Sequence, residues 1–315
     1  MTVKLFRPDM TIDPVHDGRH VLEDLPLKRE SIPYCVVIPE EKIALFTYTW
    51  VNKDSVAGAA FGIWGPGIGP TPIAARLPDR EVPRDMNFDD WRIEGFTMKQ
   101  DLAFNTAEVR WESEAATVDF RFEAFHPPYA YSKHADGCPP YAADDRIEQS
   151  GKITGTLQIG DRRIDFATFG HRDHSWGTRD WDALHYYRWL QCQAPDDTSV
   201  HFWEFYALGQ RQIRGYVCKS GLMAEITDLD VTWQGDEAFN HTAFQCRVKD
   251  EAGRETSVDA KVFGVYPLVA HSNFVLNEGA ADIAIDGVPG SGWLEFGWPI
   301  DYLEHVRAVG SYRPA

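Results

Sequence analysis

The residues best suited to catalysis lie in one short stretch, residues 170–181, which reads GHRDHSWGTRDW. It holds two histidines, two aspartates, two arginines and two tryptophans. Burying such ionisable groups without partners would cost on the order of several kcal/mol each. The stretch therefore either faces solvent or lines a polar site, and its tryptophans favour a polar site inside an apolar protein.

Side-chain alternation along a β-strand would divide this stretch into two faces. If the preceding strand continues, His171 and Asp173 lie on one face, and Arg172, His174 and Trp176 lie on the other. A cation close to Asp173 would keep its carboxyl ionised, whereas a desolvated aromatic pocket would keep it protonated. A protonated carboxyl can act as a general acid on an alkene or a hydroxyl. Aromatic faces would then stabilise the carbocation that forms.

Two other interpretations of the stretch stay open at this point. In the first, Asp173 accepts hydrogen bonds from Arg179 or from backbone N–H groups, and Trp176 fills the core at a sheet corner. The second is a metal site formed by His171, Asp173 and His174, to which His185 or His201 could add a further ligand. No recognised ligand spacing such as H-E-x-x-H supports the metal site.

The predicted strands after the stretch carry aromatic and polar side chains that could form the walls of such a site. Residues 185–189 and 201–206 are the richest in these side chains. The predicted substrate-binding residues are Trp176, Arg179, Trp181, Tyr187, Trp203, Glu204 and Tyr206.

The elements that must position these residues are short strands. Apolar and polar residues alternate over residues 118–123, and Gly160-Asp161 between two strand-like runs predicts a hairpin. The Gly/Pro-rich segment from residue 65 to about 90 reads as a long loop, which could be a lid, a cavity rim or a mobile excursion. Only residues 299–306 suggest helical turns. Many short strands at this spacing predict an all-β protein of sandwich or barrel type.

Composition narrows the classes of partner. The chain has 315 residues and a formal net charge of −17, which disfavours binding to nucleic acid or to anionic membranes through charge. Its five cysteines are scattered without a C-x-x-C pair, as expected for reduced thiols in the cytoplasm. The sequence shows no signal-peptide core and no apolar run of transmembrane length, so we expect a cytoplasmic protein without membrane insertion.

The sequence from Asp173 to Gly177, DHSWG, resembles the D-H-x-W-G signature of the AttH-like and carotenoid 1,2-hydratase-like superfamily, which includes tocopherol-cyclase-like enzymes. Residues 147–151 before the motif and 185–191 after it also resemble that family, and residues 297–302 resemble its closing strand. The resemblance implies two lipocalin-like β-barrel halves, with the motif and an apolar cavity near their junction. It also implies cofactor-independent hydration, dehydration or cyclisation of an isoprenoid, terpenoid or steroid-like substrate.

Carried over residue by residue, the resemblance makes Asp173 the acid, His174 its proton partner and Trp176 a cavity wall. We therefore predict catalytic roles for Asp173, His174 and His171, with no metal and no cofactor. We expect two lipocalin-like domains, residues 1–180 and 181–315, a hydrophobic small molecule as partner, and compatibility with a homodimer. The alternative function is a lipocalin-like protein that binds a hydrophobic molecule without changing it.

Overall fold

The protein is built from two β-sheets, in a computed structural model that describes residues 3–309. The first is a curled half-barrel, and the second closes into a barrel of eight strands. The prediction of an all-β fold with two lipocalin-like halves is confirmed. No helix within residues 3–309 has the length and apolar character needed to cross a bilayer.

Strands make up most of the chain and are numbered in chain order. They are β1 (Lys4–Leu5), β2 (Lys28–Ile38), β3 (Ile43–Asn52), β4 (Val56–Trp64), β5 (Ile73–Arg76), β6 (Arg80–Glu81), β7 (Trp91–Ile93), β8 (Phe96–Gln100), β9 (Thr106–Glu112), β10 (Thr117–Ala124), β11 (Tyr129–Ala130), β12 (Asp145–Ile159), β13 (Arg162–Thr178), β14 (Leu184–Ala194), β15 (Thr198–Ala207), β16 (Gln210–Lys219), β17 (Leu222–Gly235), β18 (His241–Asp250), β19 (Glu255–His271), β20 (Phe274–Ile285) and β21 (Val288–Pro299). The α-helix α1 spans Ile300–Val309, and 3-10 helices span Pro8–Met10, Pro14–Asp17, Tyr131–Lys133 and Trp181–Ala183.

The first sheet is antiparallel, and its main path has the strand order β5-β4-β3-β2-β13-β12-β10-β9-β8-β7. The short strands β6 and β11 pair with β4 and β12 at its sides. Strand β13 lies at the centre, between β2 and β12; in the DHSWG motif, residues 175–176 pair with both neighbours, residues 173–174 pair with β12, and Gly177 pairs with β2. This central position fixes which way each side chain of the motif points.

The second sheet runs antiparallel through β14 to β21 and closes because β14 pairs with β21 while β17 pairs with β18. Strand β1, from the N-terminal part of the chain, adds to β17 in parallel. The chain thus passes from one sheet to the other between β13 and β14, although β1 belongs to the second sheet. The predicted domain boundary at residue 180 stays a prediction.

The three largest apolar cores follow from side-chain alternation in these sheets. One lies inside the first sheet, where Trp111 stacks on Phe61 at 5.2 Å, and another fills the closed barrel around Phe202 and Phe296. The third lies between the two sheets and contains Trp293. Fully burying a large apolar side chain stabilises the fold by roughly 1.5–3 kcal/mol. The outward faces of both sheets are therefore rich in apolar side chains where they meet.

Local sequence signals agree with the structure in most places. The predicted hairpin joins β12 to β13 at Gly160-Asp161, with Gly160 at φ +54°. The segment from residue 65 to 90 is not one loop, because it contains β5 and β6, which pair with β4. Strands of four and two residues are too short to give a periodic pattern. The predicted helical turns extend into the ten-residue helix α1.

Candidate active site

Strand β13 presents its motif residues alternately to two environments. His171 and Asp173 point to the junction between the sheets, where they contact Glu148 and Arg146. Arg172, His174 and Trp176 point to the other side, towards the inside of the first sheet and the N-terminal segment; their partners there include Gln100, Glu30 and His20. The alternation inferred from the sequence describes this strand correctly.

Asp173 is tied to a buried chain of charges at the junction. Arg146 Nη2 donates to Asp173 Oδ2 at 2.7 Å, and Arg146 Nε donates to Glu148 Oε1 at 2.5 Å. Arg146 also stacks on Trp203, with its Cζ atom 4.9 Å from the ring centroid. One guanidinium thus holds two carboxyls, both provided by the adjacent strands β12 and β13.

Glu148 accepts hydrogen bonds from several buried side chains at the junction between the sheets. Besides Arg146, it accepts from His171 Nε2 at 2.7 Å, Trp189 Nε1 at 3.1 Å and the Tyr131 hydroxyl at 3.1 Å. Burial alone would raise the pKa of Glu148, but Arg146 and the neighbouring histidines lower it well below its ordinary value. Glu148 is therefore the ionised member of the pair that Arg146 bridges.

Asp173 behaves in the opposite way. Burial raises the pKa of its carboxyl to about 7; Arg146 opposes the rise, and the nearby charge of Glu148 adds to it. Two carboxyls that share one cation cannot both be fully compensated, so the one with fewer donors keeps its proton more easily. Asp173 is thus a carboxylic acid that exchanges its proton close to neutral pH.

A second pair of carboxyls faces the same space from β20 and β21. Glu278 and Glu295 lie opposite each other in the register of these strands and share a hydrogen bond. Trp293 Nε1 donates to Glu278 at 2.7 Å, and the Tyr187 hydroxyl donates to Glu295. Burial, reinforced by its neighbour Glu295, raises the pKa of Glu278 well above the ordinary value, and burial also raises that of Glu295. This pair therefore holds at least one proton at neutral pH.

These groups surround a cavity of about 620 Å³ between the two sheets, outside the closed barrel. Its wall is largely aromatic and aliphatic, with carboxyls at one part and arginines at another, which is typical of small-molecule sites. The principal lining residues are Arg29, Cys35, Phe46, Tyr48, Trp50, Arg76, Arg146, Asp173, Arg179, Trp181, Tyr187, Trp189, Trp203, Tyr266, Leu276, Glu278 and Glu295. A larger depression of about 750 Å³, beside Trp233 and Asp259 on the barrel wall, contains none of the motif residues.

The structure brings five of the predicted site residues to this cavity. They are Asp173, Arg179, Trp181, Tyr187 and Trp203. His171 lies behind the cavity wall, fully buried, where it contacts the lining residue Trp189 and donates to Glu148. Its other ring nitrogen, Nδ1, lies 3.0 Å from the Ser150 hydroxyl, so the histidine belongs to the buried network rather than to the lining.

The remaining predicted site residues lie elsewhere, and the structure corrects their predicted placement. His174 and Trp176 occupy the opposite face of β13, where His174 Nε2 donates to Glu30 at 2.7 Å and so is not a proton partner of Asp173. Glu204 lies on the β15 face that turns into the closed barrel, and its carboxyl accepts from Arg211 there. The ring of Tyr206 stacks on Tyr186 at 4.3 Å. All four lie outside the cavity lining because strand alternation turns them away.

Two clusters within the described chain have ligand atoms close enough to hold a metal ion. One is His20, Glu30 and His174, and the other is Glu148, His171 and His201. The metal site considered from the sequence cannot form, because His171 and His174 lie on opposite faces of β13. In both clusters the carboxylate already accepts short hydrogen bonds from histidine, and in the second it also pairs with Arg146. The geometry is that of hydrogen-bonded carboxylates.

Sequence reasoning missed Arg146, Glu148, Glu278 and Glu295. A signal for the last of these was present, because a glutamate interrupts the apolar run of residues 293–298, WLEFGW, on the face that Trp293 shares. An ionisable residue at such a position needs a partner or a function. No comparable signal linked it to Asp173, more than a hundred residues earlier.

Comparison with known proteins gives the chain a family and a fold. The family described as a domain of unknown function (DUF7064) matches residues 13–300, whereas no curated protein matches the chain. A Nitrosomonas europaea protein assigned as an AttH superposes with a TM-score of 0.67 at 15% identity, over 93% of this chain and 99% of that one. CghA, solved with Sch210972, gives 0.64 at 12% identity, over 87% and 89%. Kievitone hydratase from Nectria haematococca gives 0.64 at 10% identity, over 94% and 95%. The resemblance to AttH-like proteins seen in the sequence is confirmed as a likeness of fold.

Proposed function

The chain belongs to the family described as a domain of unknown function (DUF7064), and we propose that this member is a hydratase-type enzyme. It adds water to, or removes water from, a hydrophobic substrate by acid–base catalysis in the cavity between its two sheets. A terpenoid, other isoprenoid or steroid-like compound fits the size and the aromatic lining of that cavity. Kievitone hydratase, which shares the fold, is named for a reaction of this class.

One observation carries the proposal: the cavity holds two separate proton-exchanging groups among aromatic rings. Asp173 lies on the wall formed by the first sheet, and the Glu278–Glu295 pair lies on the wall formed by the second. Hydration needs one group that gives a proton to carbon and another that takes a proton from water. A protein that only carries an apolar ligand has no need of desolvated carboxyls, which reduce stability at neutral pH.

In the hydration direction, Asp173 donates its proton to one carbon of the C=C bond. Water attacks the other carbon and forms the C–O bond, and its excess proton passes to Glu295. Tyr187 and protonated Glu278 orient the carboxylate of Glu295 through their hydrogen bonds. Proton return from Glu295 to Asp173, directly or through solvent, restores the starting state. Dehydration follows the same steps in reverse.

The aromatic walls supply the remaining requirement, which is stabilisation of positive charge on carbon. Trp189, Trp203 and Tyr187 line the cavity on the side of the acid groups. A cation over such a ring gains about 1–2 kcal/mol when water is excluded. The same acid and the same walls would also support cyclisation of a polyene, in which a second C=C bond replaces water as the nucleophile.

The test begins with the ligand that the protein retains from its own host. Native mass spectrometry followed by extraction identifies this molecule, which is then incubated with the protein in water labelled with oxygen-18. With the wild-type protein, we expect either a product that has gained one molecule of water, with oxygen-18 in its new hydroxyl group, or a product that has lost one molecule of water from an alcohol. Asp173→Asn should reduce the rate about 10²–10⁴-fold, as for the loss of a general acid.

The matched control is Asp165→Asn, which removes an exposed carboxyl from the same strand and should leave the rate unchanged. If the extracted ligand is bound but never gains or loses water, the protein is a carrier, and the catalytic proposal is contradicted. If Asp173→Asn turns over as fast as wild type, the assignment of Asp173 as the acid is contradicted.

A further inference from the structure

Two arginines of the cavity have no acidic partner. Among the described residues, no carboxylate oxygen lies within ion-pair distance of Arg29 or Arg179. The other two arginines of the lining are paired: Arg146 with Glu148 and Asp173, and Arg76 with Asp79 at 2.9 Å. Neither Arg29 nor Arg179 therefore has a direct ion-pair partner within the described residues.

Both side chains are held in place by neutral groups. Arg29 donates to the Tyr48 hydroxyl at 2.6 Å and stacks on the Tyr48 ring at 5.5 Å, while its buried Nε has no partner. Arg179 donates to the Ser175 hydroxyl at 2.7 Å and stacks on Trp181 at 5.5 Å. Stacking engages the face of a guanidinium and leaves N–H groups at its edge available for an anion.

The position of the pair defines where an anion would sit. Arg29 and Arg179 line the cavity and also an outer depression of about 360 Å³ that includes Trp181. They therefore stand at the neck between solvent and the cavity, with Asp173 and the Glu278–Glu295 pair further in. A molecule anchored at the neck would extend along the aromatic walls towards the acids.

The outer depression carries both acidic and basic side chains, whereas on the cavity side of the neck the two guanidinium groups favour an anion. Burial, together with the nearby charge of Arg146, lowers the pKa of Arg179, and the charge of Asp173 offsets this only in part. Burial raises the pKa of Asp173 to about 7 and also raises the pKa values of Glu278 and Glu295, which reduces the negative charge deeper in the cavity near neutral pH. A carboxylate or sulfonate matches the fork of a guanidinium and can be shared by two of them.

We propose that the substrate of this cavity is an amphiphile, with one anionic group held between Arg29 and Arg179 and an apolar body reaching towards Asp173. The anionic group is a carboxylate, an enolate or a group of similar shape. That this ligand is a substrate rests on the proposed function, because a carrier with the same neck would select the same class of ligand.

The test compares two fluorescent probes with the same aromatic skeleton. 8-Anilinonaphthalene-1-sulfonate carries an anionic group, and N-phenyl-1-naphthylamine lacks it. Titration of the full-length protein gives the ratio of their affinities. In the variant R29Q/R179Q this ratio should fall about ten- to hundredfold, which is the range for losing a hydrogen bond to a charged group.

R76Q is the matched control, because Arg76 also stacks on Trp50 in the cavity but has Asp79 as its counter-ion. It should change both affinities together and leave their ratio within about twofold, as for an interaction common to both probes. An unchanged ratio in R29Q/R179Q, an equal fall in R76Q, or failure of the sulfonate probe to bind the wild-type protein would each overturn the inference.

This outcome is separable from that of the catalytic proposal. Asp173→Asn should keep the preference for the sulfonate probe while losing turnover. If the preference is present and no variant affects turnover, the substrate class stands and the acid mechanism fails. If turnover depends on Asp173 and both probes bind alike, the acid mechanism stands and the anionic anchor fails.

Discussion

Replacing Asp173 by asparagine should stabilise the folded protein at neutral pH while it removes activity. Burial raises the pKa of this carboxyl from 3.8 to about 7 in the folded protein. In the unfolded chain the carboxyl regains its ordinary pKa, so the folded protein binds more protons than the unfolded chain between about pH 4 and pH 7. Its ionisation therefore lowers the free energy of unfolding as the pH rises through that window.

The size of the effect follows from the two pKa values. The difference between 3.8 and about 7 is about three pH units, and at about 1.4 kcal/mol per unit it corresponds to about 4 kcal/mol. Below about pH 4 the carboxyl is neutral in both states, and the cost is absent. Asparagine keeps the shape of the side chain and an oxygen that can accept from Arg146, but it does not ionise. The variant should thus match wild type at acidic pH and exceed it by up to about 4 kcal/mol near pH 8.

The assay is urea unfolding followed by tryptophan fluorescence at a series of pH values. Wild type and Asp173→Asn are compared at each pH, so that the contributions of all other titrating groups cancel. Asp165→Asn, at an exposed position of the same strand, should stay within about 0.5 kcal/mol of wild type at every pH. If the difference between Asp173→Asn and wild type is the same across the whole series, Asp173 is ionised in the cavity, and the reasoning that makes it an acid is refuted.

Three further perturbations probe the network around the cavity. Glu148→Gln should lower the free energy of unfolding by about 3 kcal/mol, because it removes the ionised partner of Arg146 and leaves this buried guanidinium with Asp173 alone. Denaturant unfolding checks this, and a loss below half that value would contradict the role of Glu148 as the main counter-ion of Arg146. His174→Gln should lower the free energy of unfolding by about 1–3 kcal/mol, because it removes a buried hydrogen bond. It should leave kcat unchanged, since His174 faces away from the cavity. A fall in kcat with KM constant would contradict this placement. Gly177→Ala should destabilise the folded protein by about 2 kcal/mol or more. Gly177 has φ +108°, and an added Cβ would lie 2.4 Å from the backbone nitrogen of Asp144. A melting temperature equal to that of wild type would count against this close approach.

The stretch around Asp173 was found from sequence because its chemistry is concentrated in a few consecutive residues. Alternation then assigned the two faces of β13 correctly, since a central strand with partners on both sides has a fixed register. The same rule, applied without knowing which face met the cavity, could not exclude His174 and Trp176. The choice between the faces depends on how the two sheets pack, and no local pattern encodes that.

The carboxyl pair of Glu278 and Glu295 could not be predicted from the sequence. Each residue is a single glutamate within a strand, and their pairing depends on the register of β20 against β21. Their proximity to Asp173 depends further on the contact between the two sheets. Long-range contacts of this kind decide the site, whereas the all-β class followed from turn signals and strand-length periodicity alone.

The central claim is that the cavity holds protonated carboxyls at neutral pH, and infrared spectroscopy measures this directly. Protonated carboxyl groups absorb in a region where carboxylates and amides do not. At pH 7, wild type should show this band, and its intensity should fall in Asp173→Asn and in Glu278→Gln but not in Asp165→Asn. On raising the pH, the part assigned to Asp173 should titrate at about 7. A spectrum at pH 7 without any such band, or one that is identical in wild type and in all three variants, would contradict the account.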